Sequence, residues 1–373
     1  MRLKLQRILE QELGAEVLVA EDGEQAWEMF QAAEDIQFVI SDWVMPRCDG
    51  VELCGRIRGV EDRPYTYFII ATARSEDTDF VEGMASGADD YITKPVNSAE
   101  LLARVRAGLR MVVLERSLAL RNRELERALI AASQMQQGML PSALLLERVL
   151  EKTGLRVSYR YEACESLGGD VLGLAEPEEG MLALFLGDVS GHGIPASLAA
   201  VGLHTFLQAN LTVTHDPVQL MQLADHYCSE EFPSGVYSTL VYLRLHTRER
   251  VVDAVVAGHP PLFHVKRDGN VARYHASVPP LGLFPHKEES FEVTRLKLEP
   301  EDRLIAYTDG VVETRNQQGQ FYSEDHLARI VAAERGTSLE DLHERIMADV
   351  ANWRGPGQPI EDDVTLLSLQ LEG

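Results

Sequence analysis

Between residues 111 and 139 the apolar side chains recur in alternating steps of three and four, and this stretch separates two parts of the chain with different patterns. Met111, Leu114, Leu118, Leu125, Ala128, Ala132, Met135 and Met139 fall on the a and d positions of a heptad, with Arg121 as the polar exception. Glu115, Arg116, Arg123, Glu124 and Arg127 lie between them. About four heptads in succession predict a long helix that pairs as a coiled coil. The competing reading is a single amphipathic helix laid on one of its own domains. Pro141 stops the pattern, because proline has no N–H to give a helix. Residues 1–110 are then a first domain, 111–141 a coiled-coil linker helix and 142–373 a second domain. A chain of 373 residues is long enough for each domain to bury its own core.

Hydrophobic residues make up 45% and charged residues 25%, as in soluble globular proteins. A net charge of -24 argues against nucleic acid as a partner, since phosphate backbones are met by lysine and arginine clusters. No apolar run approaches the roughly 20 residues that cross a bilayer. Residues 1–7 read as an amphipathic helix without a secretory apolar region. Cys48, Cys54, Cys164 and Cys228 have no ligand-like spacing and read as reduced packing residues. Together these features point to a cytoplasmic protein with no membrane segment.

Residues 1–110 alternate short apolar runs with helical patterns, which implies a parallel, doubly wound sheet. The runs at 17–19, 38–40, 68–70 and 91–92 read as strands, with helices over 23–33 and 98–109. Asp42, Thr72 and Lys94 close three of the strands, at the carboxyl ends where such sheets bind ligands. An aspartate there can accept a phosphoryl group, with a lysine to pair with it and a threonine hydroxyl to bond it. Lys94–Pro95 suits a cis peptide.

With Asp42-Trp43-Val44-Met45-Pro46 and Asp49-Gly50, this pattern resembles a two-component receiver domain. The resemblance implies Asp42 as phosphoacceptor, Thr72 and Tyr91 as the switch pair, and a sensor histidine kinase or phosphotransfer protein as partner. Receivers open with a strand and an acidic pair that holds Mg2+, whereas this sequence opens inside the first helix. In the family's order, 2-1-3-4-5, that strand is central, so the α/β receiver is expected to lack its first strand. A start codon assigned too late is favoured over a deliberate truncation or a repaired sheet. The resemblance implies Mg2+ in an intact receiver, and without the acidic pair this chain is expected to bind it poorly.

Beyond residue 155 the runs lengthen and become β-rich, at 157–162, 181–188, 237–245 and 251–256. Helical patterns cover 196–211, 218–230, 323–333 and 339–353. Strands grouped with helix pairs suit an α+β sandwich of two sheets flanked by helices. Four carboxylate motifs lie at the edges of its apolar runs: Gly168-Gly169-Asp170, Asp188-Val189-Ser190-Gly191-His192-Gly193, Thr308-Asp309-Gly310 and Asp362-Asp363-Val364-Thr365. An aspartate on a tight turn at a strand end lets the backbone approach an ion, and hard oxygen ligands suit magnesium or manganese. A single Asp-Gly is usually only a turn, and four such motifs in series are not explained that way. Gly168-Gly169-Asp170 lacks the following acidic and aromatic residues of a cyclic-dinucleotide synthase, and Gly191-His192-Gly193 lacks a P-loop ending.

The four motifs, with Met135-Gln136-Gln137-Gly138-Met139-Leu140-Pro141, Ala257-Gly258-His259-Pro260-Pro261 and Pro279-Pro280-Leu281-Gly282, resemble the sporulation-phosphatase-like branch of the metal-dependent (type 2C) serine/threonine phosphatases. The resemblance implies two Mn2+ or Mg2+ ions and catalytic Asp188, Asp309 and Asp362. Asp188 would bridge the ions and the Val189 carbonyl would ligate one. Asp309 and Asp362 would complete the other shell, Asp170 would act directly or through water, and Asp363 could stand in for Asp362. Many relatives carry an acidic residue where this chain has Gly173, whose presence is expected to weaken one metal site. His192 and His259 read as loop-stabilising hydrogen-bonders rather than as the proton donor. The implied substrate is a phosphorylated protein of the anti-sigma-factor antagonist kind, and the coiled coil implies a homodimer. A rival reading is a non-catalytic adaptor with a degenerate metal site. With its magnesium-binding pair absent, the chain is expected to take phosphate from acetyl phosphate more slowly than an N-terminally extended version. Equal labelling rates would overturn that expectation.

Overall fold

The computed structural model describes residues 2–60, 63–73, 87–284 and 291–372. The chain divides into two compact units, Met1–Arg127 and Ala128–Gly373, and the division falls within one long helix.

The first unit runs α1 (Arg2–Leu13), α2 (Gly23–Ala32), β1 (Phe38–Asp42), α3 (Gly50–Arg58), β2 (Tyr67–Thr72), β3 (Asp90–Thr93) and the start of α4 (Ser98–Gln137). The three strands form a parallel sheet in the order β1-β2-β3. Alternate residues of β2 face opposite sides, as the two-residue period of a strand requires. Phe68 and Ile70 pack with Phe30, Leu53 and Ile57 on one face. Ile69 and Ala71 pack with Leu101 and Val105 on the other, where α1 adds Leu5, Leu9 and Leu13. Helices on both faces make this the doubly wound arrangement. Asp22 and Asp49 each cap the helix that follows by accepting a backbone N–H, from Gln25 and Glu52.

One expected strand is absent. Residues 17–19 carry the apolar, β-branched composition of a strand but have no ladder partner and are not one. A strand is stable only where its N–H and C=O groups find a neighbour, and composition alone cannot supply that.

The expected helices at 98–109 and 111–139 are one continuous helix, α4, of 40 residues. Gly108 lets it lie close to the sheet, since a Cβ there would come within 2.6 Å of the Phe38 and Tyr67 rings. Met111, Leu114, Leu118, Leu125 and Met135 of the heptad are exposed. Met139, the last heptad position, lies beyond the helix, which stops at Gln137 just before Gly138.

The second unit continues with α5 (Ala143–Thr153), β4 (Leu155–Glu162), β5 (Asp170–Ala175), β6 (Met181–Val189), α6 (Ile194–Leu211), α7 (Pro217–Glu231), β7 (Ser238–His246), β8 (Val251–Ala257), β9 (Leu262–Val265), β10 (Val271–Tyr274), β11 (Thr294–Lys297), β12 (Arg303–Tyr307), α8 (Asp309–Val312), α9 (Glu324–Ala333), α10 (Leu339–Arg354) and β13 (Val364–Leu371). Two antiparallel five-stranded sheets form, ordered β10-β9-β12-β13-β4 and β11-β8-β7-β6-β5. Leucines of both sheets, among them Leu184, Leu243, Leu304 and Leu369, fill the space between them. The outer face of the second sheet is covered by α6 and α7, and that of the first by α9 and α10. This double coverage explains the unbroken apolar run of β6: Leu182, Leu184 and Leu186 face the other sheet while Ala183 and Phe185 face the helices. Among the described residues no helix is long and apolar enough to cross a membrane.

Candidate metal centre

The aspartate motifs lie far apart in sequence, and the strand order gathers them. Asp170 opens β5 directly opposite Asp188 on β6. Asp309 opens α8 immediately after β12, and Asp362 and Asp363 precede β13, the neighbour of β12. Two motifs therefore come from each sheet, at one end of the sandwich.

Contacts join the two pairs. Asp170 is buried, and its Oδ2 accepts hydrogen bonds from Thr308 Oγ1 at 2.9 Å and from Thr365 Oγ1, both of the opposite sheet. Asp363 is also buried, and its carboxylate accepts the backbone N–H of Cys164 at 2.7 Å and that of Gly169. Asp362 is exposed, and its Oδ1 accepts the Asp363 N–H at 2.8 Å. Two glycines permit this closeness. A Cβ on Gly310 would lie 2.0 Å from the Asp363 carbonyl oxygen. A Cβ on Gly169 would lie 2.9 Å from the Val189 carbonyl oxygen and 3.5 Å from Asp188 Oδ1.

The electrostatics follow from this crowding. Burial, and then the negative charges of Asp309, Asp362 and Asp363, push Asp188 up to about 8. Asp170 is raised well above the carboxylate range by burial and by Asp188 and Asp363, against the opposing pull of its threonine hydrogen bonds. Asp309 is raised by burial and by Glu313, and Asp362 by partial burial and by Asp309 and Asp363. No three histidine, cysteine, aspartate or glutamate side chains among the described residues stand as a ready-made ion cage. Uncompensated like charges repel, so each carboxylate turns to protein donors where it has them. Asp170 Oδ1 and Asp309 Oδ1 are nevertheless buried with no hydrogen-bond partner. Such atoms call for a cation or a proton, and an oxygen-rich donor set fits a hard divalent ion.

The remaining expected residues sort by position. Asp363 is occupied by two backbone N–H groups, whereas Asp362 is the open member of the pair. Gly173 sits three residues along β5 from Asp170 and so faces the other way: a Cβ there would strike the Phe185 ring at 2.2 Å. An acidic side chain at 173 would enter the helix-covered layer, so the expected weakening of a metal site does not follow from Gly173. His192 is exposed and pairs with Glu165, Nδ1 to Oε1 at 2.9 Å. His259 is buried, and burial holds its ring neutral by pushing its pKa down to about 3. In the first unit Asp42, Thr72 and Lys94 close neighbouring strands, Lys94 Nζ lies 2.8 Å from Asp42 Oδ1, and Lys94–Pro95 is cis. Tyr91 is buried against Trp43.

Several contacts carried no advance assignment. Thr308 and Thr365 lie inside the motifs read from the sequence, where only the aspartates drew notice. Gln136, near the end of α4, clamps Gly168 with both ends of its amide: Nε2 donates to the carbonyl at 2.7 Å and Oε1 accepts the N–H at 3.1 Å. A cavity of about 20 Å³, room for one water, lies against Gln136, Tyr161, Asp170 and His204.

The fold and the carboxylate cluster define a type 2C-like phosphatase domain following a receiver. The profile of the stage II sporulation protein E (SpoIIE) family matches residues 178–372, and that of the response regulator receiver domain matches residues 1–106. The chain belongs to the SpoIIE family and carries a receiver domain ahead of its phosphatase-type domain. Phosphoserine phosphatase RsbP of Bacillus subtilis (strain 168) is 26% identical over 246 residues, which is 65% of this chain and 57% of that protein. The regulatory protein PhoB of Rhizobium meliloti (strain 1021) is 46% identical over 72 residues, 19% of this chain and 32% of PhoB. The chain thus spans less than two thirds of the length of these curated relatives. In fold, the chain is similar to the SiaA-PP2C domain of Pseudomonas aeruginosa, with a TM-score of 0.60 at 19% identity, over 68% of this chain and all of that domain. It is also similar to a B. subtilis SpoIIE structure holding the PP2C phosphatase domain and a regulatory fragment. There the TM-score is 0.51 at 21% identity, over 58% of this chain and 63% of that one.

The raised carboxylates give the metal-free protein a definite pH response. A carboxyl whose folded pKa exceeds its unfolded value holds more protons folded than unfolded between the two, so stability falls as pH rises through that window. Urea midpoints of metal-free protein should fall between about pH 4 and pH 8, the span over which Asp188 is shifted. Asp188→Asn should flatten the decline, and an unchanged slope in that variant would contradict the assignment.

Proposed function

We propose that the chain is a response regulator whose output is metal-dependent removal of phosphate from phosphoserine or phosphothreonine in a protein. The convergence of Asp170, Asp188, Asp309 and Asp362 at one end of the sandwich, with two buried carboxylate oxygens lacking any protein partner, carries the proposal. Asp188, the Val189 carbonyl, Asp309 and Asp362 would hold two Mn2+ or Mg2+ ions, with Asp170 reached directly or through water. When bound, such ions lower the pKa of water and neutralise phosphoryl oxygens. The chain's own residues do the rest. Thr308 and Thr365 orient Asp170, and Asp363 ties the Gly168–Asp170 turn to β13 through the Gly169 N–H. His192, on the rim beside Asp362 and steered by Glu165, is the histidine open to solvent, whereas His259 is enclosed.

Kinship with RsbP supports a phosphorylated protein as substrate, and an anti-sigma-factor antagonist is the class proposed. On the input side, Asp42 would accept phosphate from a sensor kinase or other phosphodonor, with Lys94, Thr72 and Tyr91 responding to it. The assignment of 1–110 to the receiver, 111–141 to a coiled-coil linker and 142–373 to the phosphatase completes the proposal. Its exposed heptad residues favour a second copy of the chain as the linker's partner.

Manganese-dependent phosphate release from a phosphoserine protein should be measurable with the full chain. In Asp309→Asn it should fall by more than about 100-fold, beyond the usual cost of losing an outer partner of a metal ligand. Equal rates in both proteins, or none in either, would favour a non-catalytic adaptor. Light scattering should give the mass of a dimer for the parent and of a monomer once 111–139 is deleted, and an unchanged mass would remove the coiled coil.

A further inference from the structure

Two proline-rich motifs have no part in the chemistry above, yet they converge behind Asp188. Gly258 adopts φ +58 and packs against Pro280 so closely that a Cβ would lie 2.4 Å from the proline Cγ. Its N–H donates to the Val278 carbonyl at 2.8 Å, and Ser238 and Leu281 exchange backbone hydrogen bonds at 3.0 and 2.7 Å. The turns at 257–261 and 279–282 are thereby locked to each other and to the start of β7. That end of β7 holds the Asp188 main chain from both sides: Ser238 Oγ donates to the Asp188 carbonyl at 3.0 Å, and Thr239 Oγ1 accepts the Asp188 N–H at 3.3 Å.

Thr239 Oγ1 also lies 2.9 Å from His259 Nδ1. A hydroxyl that accepts the Asp188 N–H has its own proton left to give. A neutral imidazole protonated on Nε2 offers Nδ1 as the acceptor. His259 is 4% exposed, and the enclosed ring is held by this bond, by the Tyr307 backbone and by packing.

We infer that His259 is a positioning residue for the metal centre: through the Thr239 hydroxyl it fixes the backbone of Asp188 and so the aim of the Asp188 carboxylate and the Val189 carbonyl. The Ala257–Pro261 and Pro279–Gly282 motifs are the brace that holds His259 in place. Outer partners of this kind orient metal ligands without touching the ion. The inference rests on the metal centre proposed above.

The test titrates Mn2+ into the full chain and follows loss of the free-ion electron paramagnetic resonance signal, with phosphate release measured in parallel. Thr239→Val, which removes the hydroxyl, and His259→Leu, which removes its acceptor, should weaken Mn2+ binding by about 10-fold or more. Activity at saturating Mn2+ should recover to within about threefold of the parent, separating ligand aim from general damage. Thr239→Ser keeps the hydroxyl, and His259→Asn puts an amide oxygen where Nδ1 stood, so both should bind Mn2+ nearly as the parent does. Parental binding in Thr239→Val, or equal weakening in the Ser and Asn variants, would overturn the inference and leave the metal centre standing. Absence of binding by the parent would overturn the metal centre, and this inference with it.

Discussion

Asp170 comes from one sheet, and the two hydroxyls that hold it come from the other. A buried carboxylate is costly unless its oxygens are bonded, and the bonds here cross the sandwich rather than run along it. Thr308 and Thr365 therefore orient the carboxylate and pin the two sheets together at one corner. The Asp363 carboxylate adds a second pin through the Gly169 N–H. Everything proposed for the site depends on these cross-sheet bonds, because Asp188 belongs to one sheet while Asp309 and Asp362 follow the strands of the other.

The price of this arrangement is a patch of like charge that the protein alone does not neutralise. Asp170, Asp188 and Asp309 are shifted upward, in each case chiefly by burial and then by an acidic neighbour. Groups shifted in one direction by one another are a common property of catalytic and ion-binding sites, although structural networks produce them too. The oxygen atoms left without protein partners at Asp170 and Asp309 favour the ion-binding reading proposed above.

Much of this was legible in the sequence because it is local. A polar residue that closes an apolar run marks a strand end, and Asp188 beside Gly187, Asp309 beside Gly310, and Asp42, Thr72 and Lys94 were readable that way. What depends on pairing was not. Residues 17–19 look like a strand and have no neighbour to make them one. Asp362 and Asp363 are indistinguishable as letters, and only the positions of the Cys164 and Gly169 N–H groups tell them apart. Thr239 carries no local signal, since its importance comes from lying opposite Asp188 in the sheet. Gly173 was within reach of sequence reasoning: a residue three places along a strand points to the opposite face.

The uninterrupted helix α4 carries a consequence of its own. A 40-residue helix is a stiff rod about 60 Å long, and each residue turns the chain by about 100°. Within the helix, one inserted residue puts the apolar faces on either side of it out of phase, whereas seven return them almost into register. Length in this segment is thus quantised: whole heptads keep the exposed stripe of Met111, Leu114, Leu118 and Leu125 continuous, while a single insertion would break it.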